Sequence, residues 1–159
     1  LMTHFNWTSL NGGDVFRGEA RRRGLTLAEF GELCKTDLEV DRQLDAHLQD
    51  RMTSEGAEDI IESRLSGWWA YKLELDCVRL WIDVNDEERA RRVVGREQCT
   101  AEEALAANTK RTAVDAERFM ELYGLLPQQR EPYTIVLDAT NLSREEVLAA
   151  TINILEATQ

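Results

Sequence analysis

The sequence lacks any long run of apolar residues, which excludes a membrane-spanning helix of about 20 residues. Residues 1–5 also lack the basic start and the apolar stretch of a secretory signal peptide. The chain has 159 residues, of which 43% are hydrophobic and 31% charged. We therefore expect one globular domain over residues 1–159, with a substantial core, in the cytoplasm and without a membrane partner.

Cysteine and histidine are scarce, with three and two residues respectively. Cys34, Cys77 and Cys99 form no Cys-x-x-Cys pair, so we expect reduced thiols. Cys77 precedes an apolar run and is predicted to be a small core residue at the start of a strand. Neither His4 nor His47 has metal-ligand spacing to another ligand. The sequence therefore predicts no metal site built from its own residues.

Lysine is also rare: of the 19 basic residues, 16 are arginines and three are lysines. The net charge of −11 argues against a nucleic-acid partner bound over the whole surface. The guanidinium group is planar and matches phosphate or carboxylate oxygens in pairs. Arginines in an acidic chain thus favour a small anionic ligand held in a pocket, although genome composition can also raise the arginine content.

Strands are predicted to alternate with helices along the chain. The predicted strands are 6–10, 59–63, 77–84 and 133–138, and helices are predicted between and after them. Residues 77–84 are apolar with little alternation, which is typical of a strand covered on both faces. The sequence therefore predicts an α/β fold, a three-layer arrangement in which a mostly parallel sheet is flanked by helices.

Capping residues predict where the helices begin. Asp14 is predicted to be the N-cap of the first long helix, and Asn85 that of the arginine-rich helix over 86–97. Thr26, Thr100 and Ser143 are each followed three residues later by glutamate, which predicts capping boxes. These signals divide the helical part of the chain into separate elements with defined starts.

Three charged residues, Arg111, Asp115 and Arg118, lie at i, i+4 and i+7 on the predicted helix that begins after Thr100. This spacing places them on one helix face. Two guanidinium groups beside one carboxylate can bind phosphate oxygens and sugar hydroxyls. An ordinary ion pair on a solvated helix would explain the same spacing, and both interpretations stay open at this point.

Polar residues follow three of the predicted strands. They lie at or just after the strand ends, in residues 13–17, in residues 63–64, and at Asp83, which the arginine-rich helix follows in sequence. Ligands of parallel α/β sheets bind at the carboxyl ends of the strands. We therefore predict a phosphate-bearing ligand at this edge, with the face of Arg111, Asp115 and Arg118 completing the site.

Five motifs in series resemble those of cytidylate kinases, particularly the compact archaeal-type ones. Gly-Gly-Asp-Val-Phe-Arg at 12–17, followed by Arg-Gly-Leu-Thr-Leu-Ala-Glu-Phe at 23–30, resembles the nucleoside-monophosphate-binding segment of that family. The match continues in order over residues 39–45, 62–68, 83–92 and 117–124. It extends from about residue 6 to the end of the chain.

The resemblance implies a P-loop kinase fold with a five-stranded parallel sheet, a monophosphate-binding segment and a mobile lid at about 86–118. It also implies transfer of the γ-phosphoryl group of ATP to CMP or dCMP, with Mg²⁺. Matched by motif, Asp14 and Arg17 belong to the monophosphate site, and Arg64 contacts the cytosine or the phosphate end.

The same resemblance implies roles for five residues in the second half of the chain. Arg111 and Asp115 would hold the sugar hydroxyls, and Arg118 would reach the base or its phosphate. Arg89 and Arg92 would surround the transferred phosphoryl group. Arginines suit that role, since the transfer depends mainly on positioning and on stabilising negative charge.

The sequence departs from the family pattern because it has no Gly-x-x-x-x-Gly-Lys-Ser/Thr motif and no Gly-Lys pair anywhere. Residues 1–5 match the end of the helix that follows this P-loop in the family, so we expect the first strand and the P-loop to be missing. A fragment or mis-assigned start, a segment left out of this sequence, and a degenerate relative would each explain this. We expect the sheet to be completed by rearrangement, by a homodimer or by a partner chain.

The functional hypotheses differ accordingly. The first is a cytidylate kinase-like enzyme, inactive as given without its P-loop. The second is a degenerate, non-catalytic module that binds a nucleotide or a protein. A weaker third is a kinase of the same fold that acts on AMP or shikimate.

Overall fold

A computed structural model describes residues 1–95 and 99–158. Short parallel strands alternate with helices, which confirms the predicted α/β class. The chain divides into two compact units, Leu1–Cys77 and Val78–Gln159. No helix in the described residues is both long enough and apolar enough to cross a membrane.

The first unit contains one pair of strands and five helices among its elements. In chain order these are α1 (Met2–Phe5), β1 (Ser9–Asn11), α2 (Gly12–Arg22), α3 (Leu27–Thr36), α4 (Leu38–Thr53), β2 (Ile60–Glu62) and α5 (Ser66–Lys72). Strands β1 and β2 are parallel, and Asn11 lies opposite Glu62. The segments that follow the two strands therefore leave the sheet at the same edge.

Helix α2 begins earlier than predicted, and the prediction that Asp14 is its N-cap is wrong. Asn11 is the cap, and its side-chain oxygen accepts hydrogen bonds from the N–H groups of Gly13 (2.8 Å) and Asp14 (3.2 Å). Asn11 keeps extended backbone angles, which suit both a strand end and an N-cap. The helix can thus start directly after β1, and Asp14 lies in its first turn.

The core of the first unit lies between α2, α3 and α4. Phe30 and Cys34 on α3 are fully buried, and the Phe16 ring of α2 lies 4.7 Å from the Phe30 ring. Trp68 and Trp69 on α5 are buried as well. Helix α2 is therefore held from one side by aromatic packing.

The second unit contains a strand pair and three helices in its described residues. The elements are β3 (Leu80–Asp83), α6 (Asp86–Val94), α7 (Ala101–Tyr123), β4 (Ile135–Asp138) and α8 (Arg144–Ala157). Strands β3 and β4 are parallel, with Asp83 opposite Asp138. Helix α6 was predicted over 86–97, and the part of that prediction at 96–97 lies outside the described residues.

The capping predictions for α3, α6, α7 and α8 are confirmed. Thr26, Thr100 and Ser143 each form a capping box with the glutamate three residues later. Asn85 caps α6 by accepting a hydrogen bond of 2.8 Å from the N–H group of Glu88. Each cap satisfies N–H groups that would otherwise lack a partner at the helix start.

Two predictions for the strand over 77–84 are wrong. Pairing is limited to Leu80–Asp83, so Cys77 lies in the preceding connection and is exposed instead of buried. Ile82 is 46% exposed, so the strand is not covered on both faces. An apolar run indicates a strand, but the partner strand decides where pairing starts, and neighbouring elements decide which face is covered.

Candidate functional site

Two segments predicted to bind the ligand contact each other where β1 and β2 end: the one that begins at Gly12 and the one that begins at Ser63. A Cβ atom on Gly12 would lie 2.7 Å from the Ser63 Cβ and 3.3 Å from the Glu62 carbonyl oxygen. Only glycine allows the first turn of α2 to approach the end of β2 this closely. Residues 12–17, with Asp14 and Arg17, and residues 63–64, with Arg64, therefore leave the same edge of this small sheet.

Arg17 pairs with Asp14 within the first turns of α2. The Arg17 Nη2 lies 2.6 Å from the Asp14 Oδ1, and both side chains are largely exposed. An exposed ion pair of this kind contributes little stability, at most about 1 kcal/mol. A phosphate group could thus replace the carboxylate at the guanidinium at low cost, and the positive end of the α2 dipole favours an anion there.

The loop that carries Arg64 is fixed by a hydroxyl that the sequence interpretation missed. The Ser63 N–H donates to the Ser66 Oγ (3.2 Å), and the Ser66 hydroxyl donates back to the Ser63 carbonyl (3.1 Å). A serine three residues after Ser63, the first residue beyond β2, is the available signal for such a turn. Asn11 was missed too, and its side-chain amide donates to the Glu62 carboxylate at 2.7 Å.

Helix α7 carries the second predicted set. The Arg118 Nη2 donates to the Asp115 Oδ1 at 3.2 Å, and the Arg118 guanidinium lies 5.0 Å from the centre of the Phe119 ring. Asp115 is 9% exposed, whereas Arg111, one turn earlier, is exposed. Asp115 and Arg118 therefore form a largely buried pair, which differs from the solvated ion pair considered as the alternative.

Arg89 is the first of the two arginines predicted to act on the phosphoryl group. Its Nη1 lies 3.1 Å from the Asp86 Oδ1, and its Nη2 donates to the Thr112 hydroxyl at 3.4 Å. Thr112 is next to Arg111 in α7. Arg89 therefore links α6 to the part of α7 that begins the predicted face.

Arg92 has different surroundings. Its Nε donates to the Glu88 carboxylate at 2.7 Å. Its Nη2 donates to two backbone carbonyl oxygens, those of Ala139 (2.7 Å) and Leu142 (3.0 Å). Arg92 thus fastens α6 to the segment between β4 and α8, and it would have to leave these carbonyls before it could contact a phosphoryl group.

The lowered pKa of the Glu88 carboxyl group leads us to expect a loss of stability in acid. Hydrogen bonds from Arg91 and Arg92 lower the pKa of the Glu88 carboxyl from 4.5 to about 2. Because the folded pKa is depressed, its contribution to stability is present above pH 4.5 and is lost as the pH falls towards 2. We expect the melting temperature to fall less steeply over this range in Glu88→Gln than in the natural sequence. Thermal melts followed by circular dichroism would check this, and parallel curves for the two proteins would contradict it.

No group of three or more histidine, cysteine, aspartate or glutamate side chains in residues 1–95 and 99–158 is placed to bind a metal ion. The charged clusters described above consist of arginine–carboxylate pairs. Their chemistry is suited to binding oxygen-rich anions and hydroxyl groups.

Comparison with known proteins gives several archaeal relatives. The chain is 40% identical over 126 residues to the cytidylate kinase of Halobacterium salinarum, a match that covers 79% of this chain and 64% of the relative. It is 32% identical over 146 residues to that of Methanocorpusculum labreanum, covering 91% and 80%. It is also 32% identical over 152 residues to that of Pyrococcus furiosus, covering 94% and 75%. No protein-family model and no solved structure matches the chain. On the strength of these relatives, the chain belongs to the cytidylate kinase family.

Proposed function

We propose that the chain forms the acceptor-binding part of an enzyme that transfers the γ-phosphoryl group of ATP to CMP or dCMP. Family membership supports the reaction class. The observation that carries the proposal is the buried pair of Asp115 and Arg118 on α7. A buried charged pair costs desolvation free energy and is a weak source of stability, so a binding role is the better explanation for it.

In the first unit, Arg17 would hold the phosphate of CMP. Its partner Asp14 would release the guanidinium when phosphate arrives, or would keep it oriented through the 2.6 Å contact. Arg64, fixed by the turn between Ser63 and Ser66, would contact the cytosine or the phosphate end. The close approach of Gly12 to Ser63 supports this assignment, because it keeps the two segments at one edge.

In the second unit, Asp115 and Arg111 would hold the sugar hydroxyls, and Arg118 would contact the base or its phosphate. A carboxylate accepts hydrogen bonds from hydroxyl groups, and an oriented guanidinium donates to base or phosphate oxygens. The contact of Arg118 with the Phe119 ring supports its role, because it limits the directions in which the guanidinium can point.

Residues 86–118 are the proposed lid, and Arg89 and Arg92 the proposed contacts of the transferred phosphoryl group. The charge of that group spreads over its oxygens during transfer, and a guanidinium stabilises it. Arg89 needs only to exchange Asp86 and Thr112 for phosphate oxygens. Arg92 needs to break two bonds to backbone carbonyls, so Arg89 is the better candidate of the two.

ATP and Mg²⁺ do not fit the residues present. The sequence has no Gly-Lys pair to hold the phosphates of ATP, and so no Ser/Thr directly after such a pair to bind Mg²⁺. We therefore assign no residue to either group and propose that these 159 residues, tested by themselves, bind CMP without phosphorylating it. A homodimer or a partner chain that completes the sheet belongs to the same proposal, and nucleic acid does not, given the net charge of −11.

Calorimetric titration with CMP, with AMP as the control ligand, tests the proposal. We expect saturable binding of CMP, no binding of AMP, and an affinity about 50-fold lower in Arg111→Ala, because a hydrogen bond to a charged group contributes about 1.5–3 kcal/mol. Lys110→Ala is the matched control, since it removes the same charge from the neighbouring position of α7 and should bind CMP normally.

The absence of a Gly-Lys pair also favours a second candidate, a module of the same fold that binds a protein instead of a nucleotide. A folded chain that does not bind CMP would overturn the first proposal and support the second. Production of ADP from ATP and CMP by these 159 residues alone would contradict the proposed inactivity.

A further inference from the structure

A cavity of about 450 Å³ lies between α2 and α4 in the first unit. Val15, Gly18, Glu19 and Arg22 line it from α2, and Val40, Gln43, Leu44 and His47 line it from α4, with Arg23 at its rim. Both sets follow the i, i+3, i+4, i+7 spacing, so each helix contributes one continuous face. At 100° per residue, Arg17 points about 160° away from this face of α2, so the cavity is separate from the phosphate site proposed above.

The cavity combines an apolar floor with a positive rim. Arg22 and Arg23 both pair with Glu19, with N–O distances of 2.6 Å. Hydrogen bonds from these two guanidiniums lower the pKa of Glu19 to about 2, so Glu19 is ionised at neutral pH and the three groups carry a net charge of +1. Val15 and Val40 supply apolar surface beneath them. A positive rim is unusual on a chain whose net charge is −11.

The rim is also oriented in advance. The Arg23 Nη2 donates to the side-chain oxygen of Gln43 at 3.4 Å, and the Arg23 guanidinium lies 5.7 Å from the centre of the Phe30 ring. Phe30 is fully buried, so one side of Arg23 rests on the rigid core. A cation held in this way loses less conformational freedom when it binds a ligand.

Gly18 keeps the cavity open at a cost to the helix. Glycine in the middle of a helix is less favourable than alanine by about 1 kcal/mol. A Cβ on Gly18 would meet no atom within 4 Å, so the packing of the chain itself does not require glycine there. Gly31 in α3 has equally open surroundings but does not line the cavity, which makes it a suitable control.

We propose that this cavity is a second binding site, which takes a small organic anion with an apolar body and a phosphate or carboxylate group. The volume lies within the range of about 300–1,000 Å³ that is usual for small-molecule sites, and the lining combines apolar side chains with oriented polar groups. The anionic group would bind Arg22 and Arg23, and the apolar body would contact Val15, Val40 and Leu44.

Phenyl phosphate is a suitable probe because it combines both chemical features. In spectra of the ¹⁵N-labelled 159-residue chain, we expect it to shift the amide signals of Gly18, Arg22, Gln43 and His47. Benzoate should shift the same signals if a carboxylate suffices, which separates the two classes of anion. Inorganic phosphate and benzyl alcohol, which each lack one of the features, should bind at least about tenfold more weakly.

Gly18→Leu is the decisive variant, because its side chain would fill the cavity while leucine favours the helix. We expect phenyl phosphate to bind about tenfold more weakly to Gly18→Leu and normally to Gly31→Ala, with CMP binding unchanged in both.

A second variant, Arg22→Gln, should weaken the binding of phenyl phosphate but not that of benzyl alcohol. Equal shifts in Gly18→Leu, or shifts confined to residues near Arg17, would overturn the proposal. Failure of CMP to bind would not affect this test, because the cavity is followed with phenyl phosphate and the amide signals of its own lining residues, whereas the proposed function is tested with CMP.

Discussion

Gly12→Ala is expected to lower the free energy of unfolding of the first unit by about 2 kcal/mol and to weaken CMP binding about a hundredfold. The added Cβ would lie 2.7 Å from the Ser63 Cβ and 3.3 Å from the Glu62 carbonyl oxygen, and neither atom is the far end of a flexible side chain that could move aside. The start of α2 and the end of β2 would have to separate. Arg17 and Arg64, which the proposed function places on the same ligand, would separate with them. Urea unfolding and calorimetric titration with CMP measure the two effects.

Gly18→Ala is the matched control for this prediction, because it makes the same chemical change in the same helix. A Cβ at Gly18 meets nothing within 4 Å, so the variant should be more stable by about 0.5–1 kcal/mol and should bind CMP normally. Should Gly12→Ala also gain stability and keep its affinity, the close packing of Gly12 on Ser63 would be absent in solution, and the edge could not be the phosphate site.

Features decided by residues close in sequence were predicted from the sequence alone. The capping boxes at Thr26, Thr100 and Ser143 each involve a side chain and a backbone group three residues apart, so the pattern contains all the participants. The end of α7 at Gly124 is also set by a local conformation, since its positive φ of 66° suits glycine. Such features needed no knowledge of the tertiary structure.

Features decided by distant residues were predicted less well. Asn11 and Asp14 are both favourable N-cap residues. The residue at which β1 ends decides which of them caps α2, and that residue depends on pairing with Glu62, 51 residues away. The exposure of Ile82 depends on which elements pack against β3. No local pattern contains this information, so the sequence could indicate the strands but not their limits or their cover.

The candidate site shows the same division. The spacing of Arg111, Asp115 and Arg118 predicted that they share a face of α7, but it could not distinguish a solvated pair from the buried one observed. Arg92 was predicted from its motif. Its bonds to Ala139 and Leu142 join residues 47 and 50 positions apart, which helical periodicity cannot indicate. The assignment of a phosphoryl contact to Arg92 remains a prediction, and the structure adds a competing role in holding α6.

Asp115→Ala is expected to cost about 3 kcal/mol of stability in the second unit and to remove measurable CMP binding. The Asp115 side chain is 12% exposed and accepts a hydrogen bond from Arg118, whose own side chain is 17% exposed. Its removal would leave the buried guanidinium without this counter-charge. Glu117→Ala, on the exposed side of the same helix, should change neither quantity by more than about 0.5 kcal/mol.

A double variant separates the structural role of the pair from its binding role. Replacing both charges, in Asp115→Leu with Arg118→Met, substitutes apolar groups of similar size, a change that often leaves stability unchanged or raises it. We expect this variant to recover most of the stability lost in Asp115→Ala, as measured by urea unfolding, and still not to bind CMP. Stability without binding would mean that the buried pair is retained for the nucleotide. Normal CMP binding by the double variant would exclude Asp115 and Arg118 from the site and would withdraw the main support for the proposed function.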